Sequence, residues 1–187
     1  VIGAMAVMTR LGYWQLDRLE FRRARNAYIS NQLSSETLLL SDDDLDYDIS
    51  RLEYRPVAAS GSYDHSREII LKGQLWGGQP GVHIITPLIL SGSNRAVLVD
   101  RGWIPYEDSD PNKWEEFAEP GPVTVTGLAR SADTPPRDTP SNTPQHEWYR
   151  VDIAALQIQM PYNLLQMNSS LQPYFDNHQQ PLHIDLM

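Results

Sequence analysis

The sequence predicts a mainly β fold of the α+β class: a small β-barrel or sandwich-like domain that follows an N-terminal helix. Two observations carry this prediction. About six or seven short segments show strand patterns, whereas a helical period of apolar residues is long only near the N-terminus. The connecting segments are irregular and several are rich in glycine or proline, so a barrel or sandwich is favoured over repeated β-α-β units.

Composition limits the classes of protein to consider. With 187 residues, of which 41% are hydrophobic, the chain can bury one sizeable core. Its net charge of -9, from 15 basic and 24 acidic residues, argues against a nucleic-acid partner, which needs a basic surface. The absence of cysteine excludes disulfides, thiolate metal sites and a cysteine nucleophile, but it does not identify a compartment.

The N-terminal segment from Val1 to Met8 is uniformly apolar and precedes Thr9 and Arg10. This pattern is typical of the end of a transmembrane helix, although a complete span takes about 20 apolar residues. A buried helix, or a signal-peptide remnant with the Ala4-Met-Ala6 pattern, stays open as an alternative.

A partly apolar helix is predicted to continue from this segment, because apolar and long side chains recur every three or four residues from Leu11 to Tyr28. We therefore expect residues 1–33 to be the end of an N-terminal transmembrane helix with its continuation, and residues 34–187 to be a β-rich soluble domain. The arginines from Arg18 to Arg25 would place this flank in the cytoplasm by the positive-inside rule.

An acidic stretch follows, Ser41-Asp-Asp-Asp-Leu-Asp-Tyr-Asp48. A calcium loop spaces its ligands at alternating positions around a glycine, and this stretch contains none. A solvated loop is the favoured interpretation.

Strand patterns begin at Tyr54, where apolar and small residues alternate up to Tyr63. A second strand, Glu68 to Lys72, follows a polar turn. The segment from Gly73 to Gly81 contains four glycines and one proline, so we expect a loop there.

A β-hairpin is predicted next, with strands Val82 to Leu90 and Ala96 to Val99 joined by the turn residues between them. The second strand runs on into Asp100-Arg-Gly-Trp103 and ends at Pro105. These ends place a charge pair and a large aromatic ring at a rim or a partner surface.

The rest of the chain mixes irregular and regular segments. In order, we expect a long excursion at residues 106–122 anchored by Trp114, a strand at 123–130, an irregular segment with four prolines at 131–146, a strand at 148–152, a short helix at 153–159 capped by Asp152, and a last strand at 162–167.

Several of these motifs, in this order, resemble the Surfeit locus protein 1 family, whose yeast member is called Shy. They are Leu11-Gly-Tyr-Trp-Gln-Leu-Asp-Arg18, Tyr54-Arg-Pro-Val57 with Gly61, Tyr63 and Asp64, Pro80-Gly-Val-His-Ile-Ile-Thr-Pro87, Val97-Leu-Val-Asp-Arg-Gly-Trp-Ile-Pro105 and Val123-Thr-Val-Thr-Gly127. A weaker sixth match is Trp148-Tyr-Arg-Val-Asp152.

The resemblance implies an assembly factor for cytochrome c oxidase that helps haem a reach the catalytic subunit. It also implies a membrane anchor at each end and a β-rich domain in the periplasm of a bacterial inner membrane or in the mitochondrial intermembrane space. The expected partners are the catalytic subunit or the haem a synthesis machinery, and the membrane. The residues that match the motifs, and that we expect to bind a partner or to hold the structure, are Trp14, Gln15, Arg18, Gly81, His83, Thr86, Pro87, Arg101, Gly102, Trp103 and Pro105.

Some features depart from the family pattern. The second membrane helix, whose histidine is linked to haem in bacterial members, is expected after residue 187, so no cofactor is assigned to this chain and haem a is assigned only to a full-length protein. The arginine that is common between the strand after Asp64 and the Pro80-Gly81 pair is missing, and only Lys72 is near. The topology implied by the family places Arg18 to Arg25 on the non-cytoplasmic side, which opposes the positive-inside rule. The two agree if these arginines pair with carboxylates, such as those of the acidic stretch.

Each candidate side chain also has a structural interpretation. We expect His83 to satisfy a local hydrogen bond and His65 to be solvated. Asp100 and Arg101 should pair with different neighbours, since consecutive strand residues point to opposite faces. We expect Gly81 and Gly102 to serve backbone geometry that other residues do not allow. Trp14 and Trp103 should either anchor at the membrane surface or bind a partner, or pack in the core or an interface.

Three function classes follow. The assembly factor is favoured, and a membrane-tethered β-rich binding module without a haem role is the alternative. The third class, an enzyme, is disfavoured. A hydrolase would need a nucleophile elbow, which Ser66 beside His65 lacks. A metal enzyme is disfavoured because the five histidines show no ligand spacing.

Overall fold

The computed structural model describes residues 2–41, 52–111, 113–114, 118–131, 145–165 and 182–186. The chain forms two compact units, Val1–Ser35 and Glu36–Met187. The first unit is one helix, α1, at Ile2–Leu33. The predicted N-terminal helix is therefore confirmed. Among the described helices, none combines the length and the apolar character that a membrane span requires.

Serine side chains mark the end of α1. The hydroxyls of Ser34 and Ser35 donate to the carbonyls of Ser30 and Asn31 at 2.9 and 3.0 Å. Such local hydrogen bonds compete with the helical pattern of the backbone, so the helix ends where the two serines follow Leu33.

The second unit is built on a mixed sheet. Its described strands are β1 (Leu38–Leu40), β2 (Pro56–Tyr63), β3 (Ile69–Trp76), β4 (Gln79–Leu90), β5 (Arg95–Pro105), β6 (Pro122–Ser131), β7 (Glu147–Trp148), β8 (Asn163–Leu164) and β9 (Leu182–Leu186). One α-helix, α2 (Ile153–Gln159), and two 3₁₀ turns, His65–Arg67 and Tyr106–Asp108, accompany them.

The strands lie in the order β1-β2-β6-β9-β5-β4-β3-β7, with β8 also beside β5. The β1–β2, β3–β7, β5–β8 and β5–β9 pairs are parallel, and the others are antiparallel. A short extra pairing joins Gly61–Tyr63 of β2 to Leu88–Leu90 of β4, so the sheet curls toward itself. The mainly β class with an N-terminal helix is confirmed. The pairings run from β2 through β6, β9, β5 and β4 and back to β2, while β1 and the β3–β7 pair lie outside this ring.

Apolar side chains of the β4–β5 hairpin pack on both faces of the sheet, since successive strand residues point to opposite sides. Leu88 and Val97 belong to a cluster inside the curl, and Ile85 and Leu98 to a second cluster that receives Ile153 and Leu156 of α2. Asp152 caps α2 as predicted, because its Oδ1 accepts the amide proton of Ala155 at 3.0 Å.

The predicted hairpin is confirmed but longer, and the predicted loop at 73–81 is wrong. Strand β3 continues to Trp76, Gly77 and Gly78 form the turn, and β4 begins at Gln79, which pairs with Trp76. Both turn glycines have positive φ, 57° and 84°. A two-residue turn with positive φ at both positions joins antiparallel strands with the correct twist, so the glycines form a second hairpin instead of a loop.

Toward the C-terminus the strands are shorter than expected. The strand predicted at 148–152 is replaced by the two-residue strand β7, Glu147–Trp148. Of the strand predicted at 162–167, the structure contains β8, Asn163–Leu164, and residues 166–167 lie outside the described residues. Trp114 is the buried anchor expected in the excursion after β5, where it packs with Ile70, Val82 and Ile84. The acidic residues 42–48 and residues 132–144 of the proline-rich segment lie outside the described residues.

Candidate functional site

A β-bulge in the β4–β5 hairpin sets the geometry of the motif residues. Ile84 pairs with Gly102 and Ile85 with Asp100, which leaves Arg101 as the extra residue. Gly102 has φ +118°, a conformation that favours glycine. Its amide donates to Asp100 Oδ1 at 2.9 Å. The bulge therefore places the side chains of Asp100 and Arg101 in different surroundings.

On one side lies a group that we call the Glu68 cluster: Glu68, His65, Thr86, Arg101 and Glu119. Thr86 Oγ1 and Arg101 Nη1 donate to Glu68 Oε1 at 2.9 and 3.3 Å, and His65 Nδ1 lies 2.7 Å from the same oxygen. Arg101 Nη2 also donates to Glu119 Oε1 at 3.2 Å. Glu68 is 5% exposed and the Arg101 side chain is 10% exposed, so the ion pair is largely shielded from water.

Tyr63 packs against this cluster. The Arg101 guanidinium lies 5.0 Å from the centre of the Tyr63 ring, a cation–π distance. Burial raises the pKa of the Tyr63 hydroxyl, and the positive charge of Arg101 opposes that rise. Arg101 is thus surrounded by two carboxylates and an aromatic face, and these contacts favour a structural role for it.

A cavity of about 240 Å³ adjoins the Glu68 cluster. It lies between the 3₁₀ turn at His65, the segment that carries Trp114, and the residue before β7. Its lining residues are His65, Ser66, Glu68, Pro111, Trp114, Ala118 and His146.

On the other side of the hairpin, His83 Nδ1 lies 2.6 Å from Asp100 Oδ2. The two side chains are 29% and 11% exposed. The local hydrogen bond expected for His83 is thus present, and Asp100 and Arg101 take different partners as expected.

Trp103 pairs across the strands with His83 and packs over Gly81. A Cβ at Gly81 would overlap the Ile104 carbonyl oxygen and the Trp103 indole, which is the close approach that glycine permits. Trp103 Nε1 is buried and has no hydrogen-bond acceptor among the described residues.

The other motif residues lie in three places. Thr86 is fully buried in the Glu68 cluster, Pro87 pairs with Leu98 inside the hairpin, and Pro105 ends β5 opposite Gly81. Trp14, Gln15 and Arg18 lie exposed on α1, where the Arg18 guanidinium is 5.4 Å from the Trp14 ring centre. The hairpin therefore gathers all the candidate residues except those on α1.

The sequence predicts that His65 is solvated and that it does not form a catalytic pair with Ser66, and the structure bears on both predictions. It is not simply solvated, because Glu68 holds its Nδ1. It also does not activate Ser66, whose hydroxyl donates to Asp64 Oδ1 at 2.6 Å instead. The described residues include no group of three or more possible metal ligands.

Sequence reasoning missed Glu68 as a site residue. The available signal was an acidic residue directly before the apolar run that begins β3. Its partner His65 is three positions away, but Thr86 and Arg101 lie 18 and 33 positions away. Lys72 is the basic residue nearest to the position where the family commonly has an arginine. Its Nζ donates to Glu147 Oε2 at 2.6 Å, and this bond raises the pKa of Lys72.

Known proteins provide an independent view of the chain. The model of the SURF1 family matches residues 2–186. Surfeit locus protein 1 of Mus musculus is 27% identical over 161 residues, which cover 78% of this chain and 52% of the relative. The Homo sapiens protein of the same name is 26% identical over 162 residues, covering 78% of this chain and 53% of the relative.

A SURF1-like protein of Monosiga brevicollis is 28% identical over 164 residues, covering 82% of this chain and 62% of the relative. The chain thus spans between half and two thirds of the length of these relatives. The family match includes α1, the β4–β5 hairpin and the Glu68 cluster. The chain belongs to the SURF1 family.

Proposed function

We propose that the chain is part of a membrane-anchored assembly factor for cytochrome c oxidase, which aids haem a insertion or another step in maturation of the catalytic subunit. The observation that carries this proposal is the family match over residues 2–186. The five ordered motifs, which resemble the same family, lie within the matched residues. The proposed partners are the catalytic subunit or the haem a synthesis machinery.

The proposed action is binding rather than catalysis. Ser66 and His65 are each hydrogen-bonded to a different carboxylate, so their side chains do not form a nucleophile–base pair. Arg101 of the hairpin pairs with Glu68, which precedes β3, and His83 pairs with Asp100 within the hairpin. This arrangement suits a rigid surface that positions a partner.

A second candidate is a membrane-tethered β-rich binding module with no haem role. One observation favours it: Leu75 and Trp76 at the β3–β4 turn are 73% and 70% exposed. Exposed aromatic and large apolar side chains on a turn are typical of protein contacts. Such a surface would serve a partner without any haem contact.

We propose that the protein acts at a membrane, with the β-rich unit on the periplasmic side of a bacterial inner membrane or in the mitochondrial intermembrane space. This placement comes from the family resemblance. A protease added to sealed vesicles of known orientation would test it, because the β-rich unit should be cleaved only when that side is exposed.

Gene deletion tests the assembly role. Membranes from deleted cells should contain less haem a and less cytochrome oxidase activity, while haem b and an oxidase without haem a stay unchanged. The intact gene should restore both quantities. A loss of oxidase activity with unchanged haem a would favour the binding module. No change in either quantity would contradict the assembly role and leave the binding module as the leading candidate, which co-purification of a partner would then test.

A further inference from the structure

We propose that the turn between β3 and β4 inserts into the surface of a lipid bilayer. The proposal rests on the membrane location proposed above and names the part of the β-rich unit that touches the membrane. We call residues 75–80, which form the end of this hairpin, the β3–β4 tip. All of them are exposed, and the first two, Leu75 and Trp76, are 73% and 70% exposed.

Exposure on both faces of the hairpin distinguishes the tip from a flat contact surface. Leu75 and Trp76 are consecutive in β3, so their side chains point to opposite sides. Both side chains are nevertheless exposed, so the tip projects from the packed part of the sheet on both faces. A flat protein surface would cover one of these side chains, whereas a bilayer surface receives both.

The tip carries no charged side chain. Between Lys72 and Arg95 the sequence contains no Asp, Glu, Lys or Arg, although 21% of the whole chain is charged. A charged side chain is costly to move into the apolar layer of a bilayer, and the tip avoids this cost. The tip also contributes nothing to the net charge of -9, so anionic headgroups do not repel it.

The backbone geometry suits insertion to a shallow depth. Trp76 pairs with Gln79 and Leu75 with Pro80, so the strands stay paired up to the two-residue turn. Paired backbone groups are what an apolar layer tolerates, and Pro80 has no N–H group to bury. Three residues on each strand, at about 3.3 Å per residue, give the tip a length of about 10 Å. Interfacial elements reach a depth of about 5–10 Å.

Tyrosine side chains flank the base of the tip. Tyr149 is 75% exposed, and its Cδ1 would lie 3.9 Å from a Cβ placed on Gly73. Tyr106 is 54% exposed, and the Lys72 ammonium lies 5.9 Å from its ring centre. Tyrosine and tryptophan are enriched where a membrane meets water. The two tyrosine rings would lie at headgroup level while the tip lies deeper.

The absence of cysteine allows a direct test, because an environment-sensitive fluorophore can be attached to one introduced cysteine of the 187-residue chain. Gln79→Cys places it on the exposed tip. Asn94→Cys is the matched control, since it lies in the polar, uncharged turn at the other end of β4, a strand of 12 residues and about 40 Å. Each labelled protein is mixed with phosphatidylcholine vesicles that carry a nitroxide quencher on their acyl chains. We expect quenching and a blue-shifted emission at residue 79 and neither at residue 94.

Two variants of the Gln79→Cys protein separate the tip from other apolar surface. Leu75→Ser combined with Trp76→Ser should abolish quenching, because the side chains that enter the bilayer are lost. Leu39→Ser removes a leucine that is 67% exposed on β1, away from the tip, and should leave the quenching unchanged. All three replaced side chains are exposed, so the unfolding curves of the variants should match that of the parent.

Absence of quenching at residue 79, equal quenching at residues 79 and 94, or full quenching in the Leu75→Ser/Trp76→Ser variant would overturn the proposal. A label that stays in water on lipid vesicles but is shielded on native membranes would also overturn it, and would assign the tip to a protein partner. None of these measurements depends on haem a or oxidase activity. The tip and the assembly role can therefore fail separately.

Discussion

At the bulge in the β4–β5 hairpin, the consecutive residues Asp100 and Arg101 lie in different surroundings and bind different partners. Arg101 is 10% exposed and contacts Glu68, Glu119 and the Tyr63 ring. Asp100 pairs with His83, whose side chain is 29% exposed and reachable by water. One residue in β5 thus separates a shielded ionic cluster from a partly solvated pair.

The comparison indicates that the burial of an ion pair, rather than its charge, determines how much the pair contributes to the free energy of unfolding. Removing one partner of a buried pair leaves an uncompensated charge and costs about 3–5 kcal/mol, whereas an exposed pair contributes about 0–1 kcal/mol. Arg101 and Glu68 are both shielded, whereas in the other pair Asp100 is shielded and His83 is 29% exposed, so we expect the larger effects from substitutions in the Glu68 cluster.

The largest effect is expected from Arg101→Ala. The substitution leaves the carboxylate of Glu68 buried without its guanidinium, so it should lower the free energy of unfolding by about 3–5 kcal/mol. Urea denaturation followed by circular dichroism measures the loss. Lys113→Ala is the matched control, because the Lys113–Asp108 pair is exposed at both partners (49% and 45%). It should cost no more than about 1 kcal/mol, and equal losses in the two variants would remove the distinction.

Gly102→Ala attacks the bulge that separates the two sides. At φ +118° an alanine is strained although no atom lies within 4 Å of its Cβ, so we expect a loss of about 1–3 kcal/mol. Gly77→Asn is the control: φ is +57° in a two-residue turn, where asparagine before glycine is favoured. Its free energy of unfolding should change by less than about 0.5 kcal/mol. A neutral Gly102→Ala would mean that the bulge does not depend on glycine.

The smallest effect should come from Tyr162→Phe, on the α2 side. Tyr162 is 5% exposed, and its hydroxyl donates to Asp64 Oδ2 at 3.0 Å. Near pH 7 the lost hydrogen bond should cost about 0.5–1.5 kcal/mol. Chemical denaturation at a series of pH values also tests the titration of this group.

Burial, followed by the negative charge of Asp64, raises the pKa of Tyr162 in the folded chain. The unfolded tyrosine ionises near pH 10 while the folded one keeps its proton. The stability contributed by this shift is therefore complete below about pH 10 and is lost above it, by up to about 1.4 kcal/mol per pH unit. Tyr162→Phe should lose stability less steeply above pH 10, and an unchanged slope would contradict the raised pKa.

Local signals in the sequence predicted much of the fold. The period of α1, the turn residues between β4 and β5, and Asp152 before α2 each act within a few positions, and the structure contains all three elements. The Gly77-Gly78 turn was misjudged because glycine-rich sequence is typical of both loops and tight hairpins. Only the pairing of Trp76 with Gln79 distinguishes them.

The site was less predictable because its contacts are distant in sequence. His83, Arg101 and Gly102 were found through their motifs, but motifs do not specify partners. Glu68 meets Arg101 across 33 positions. The role of a charged residue depends on the burial that the folded sheet creates, and the local signals at Glu68, which are His65 three positions earlier and the apolar run from Ile69, do not specify that burial.

The most direct test of the account is the interaction free energy between Glu68 and Arg101. Urea unfolding of the parent chain, Glu68→Gln, Arg101→Met and the double variant gives this value as the difference between the double loss and the sum of single losses. We predict that the double variant is less destabilised than that sum by at least about 1.5 kcal/mol. The same cycle on Asp108 and Lys113 should give less than about 1 kcal/mol. Additive losses for Glu68 and Arg101 would contradict the buried ion pair as the structural centre of the hairpin.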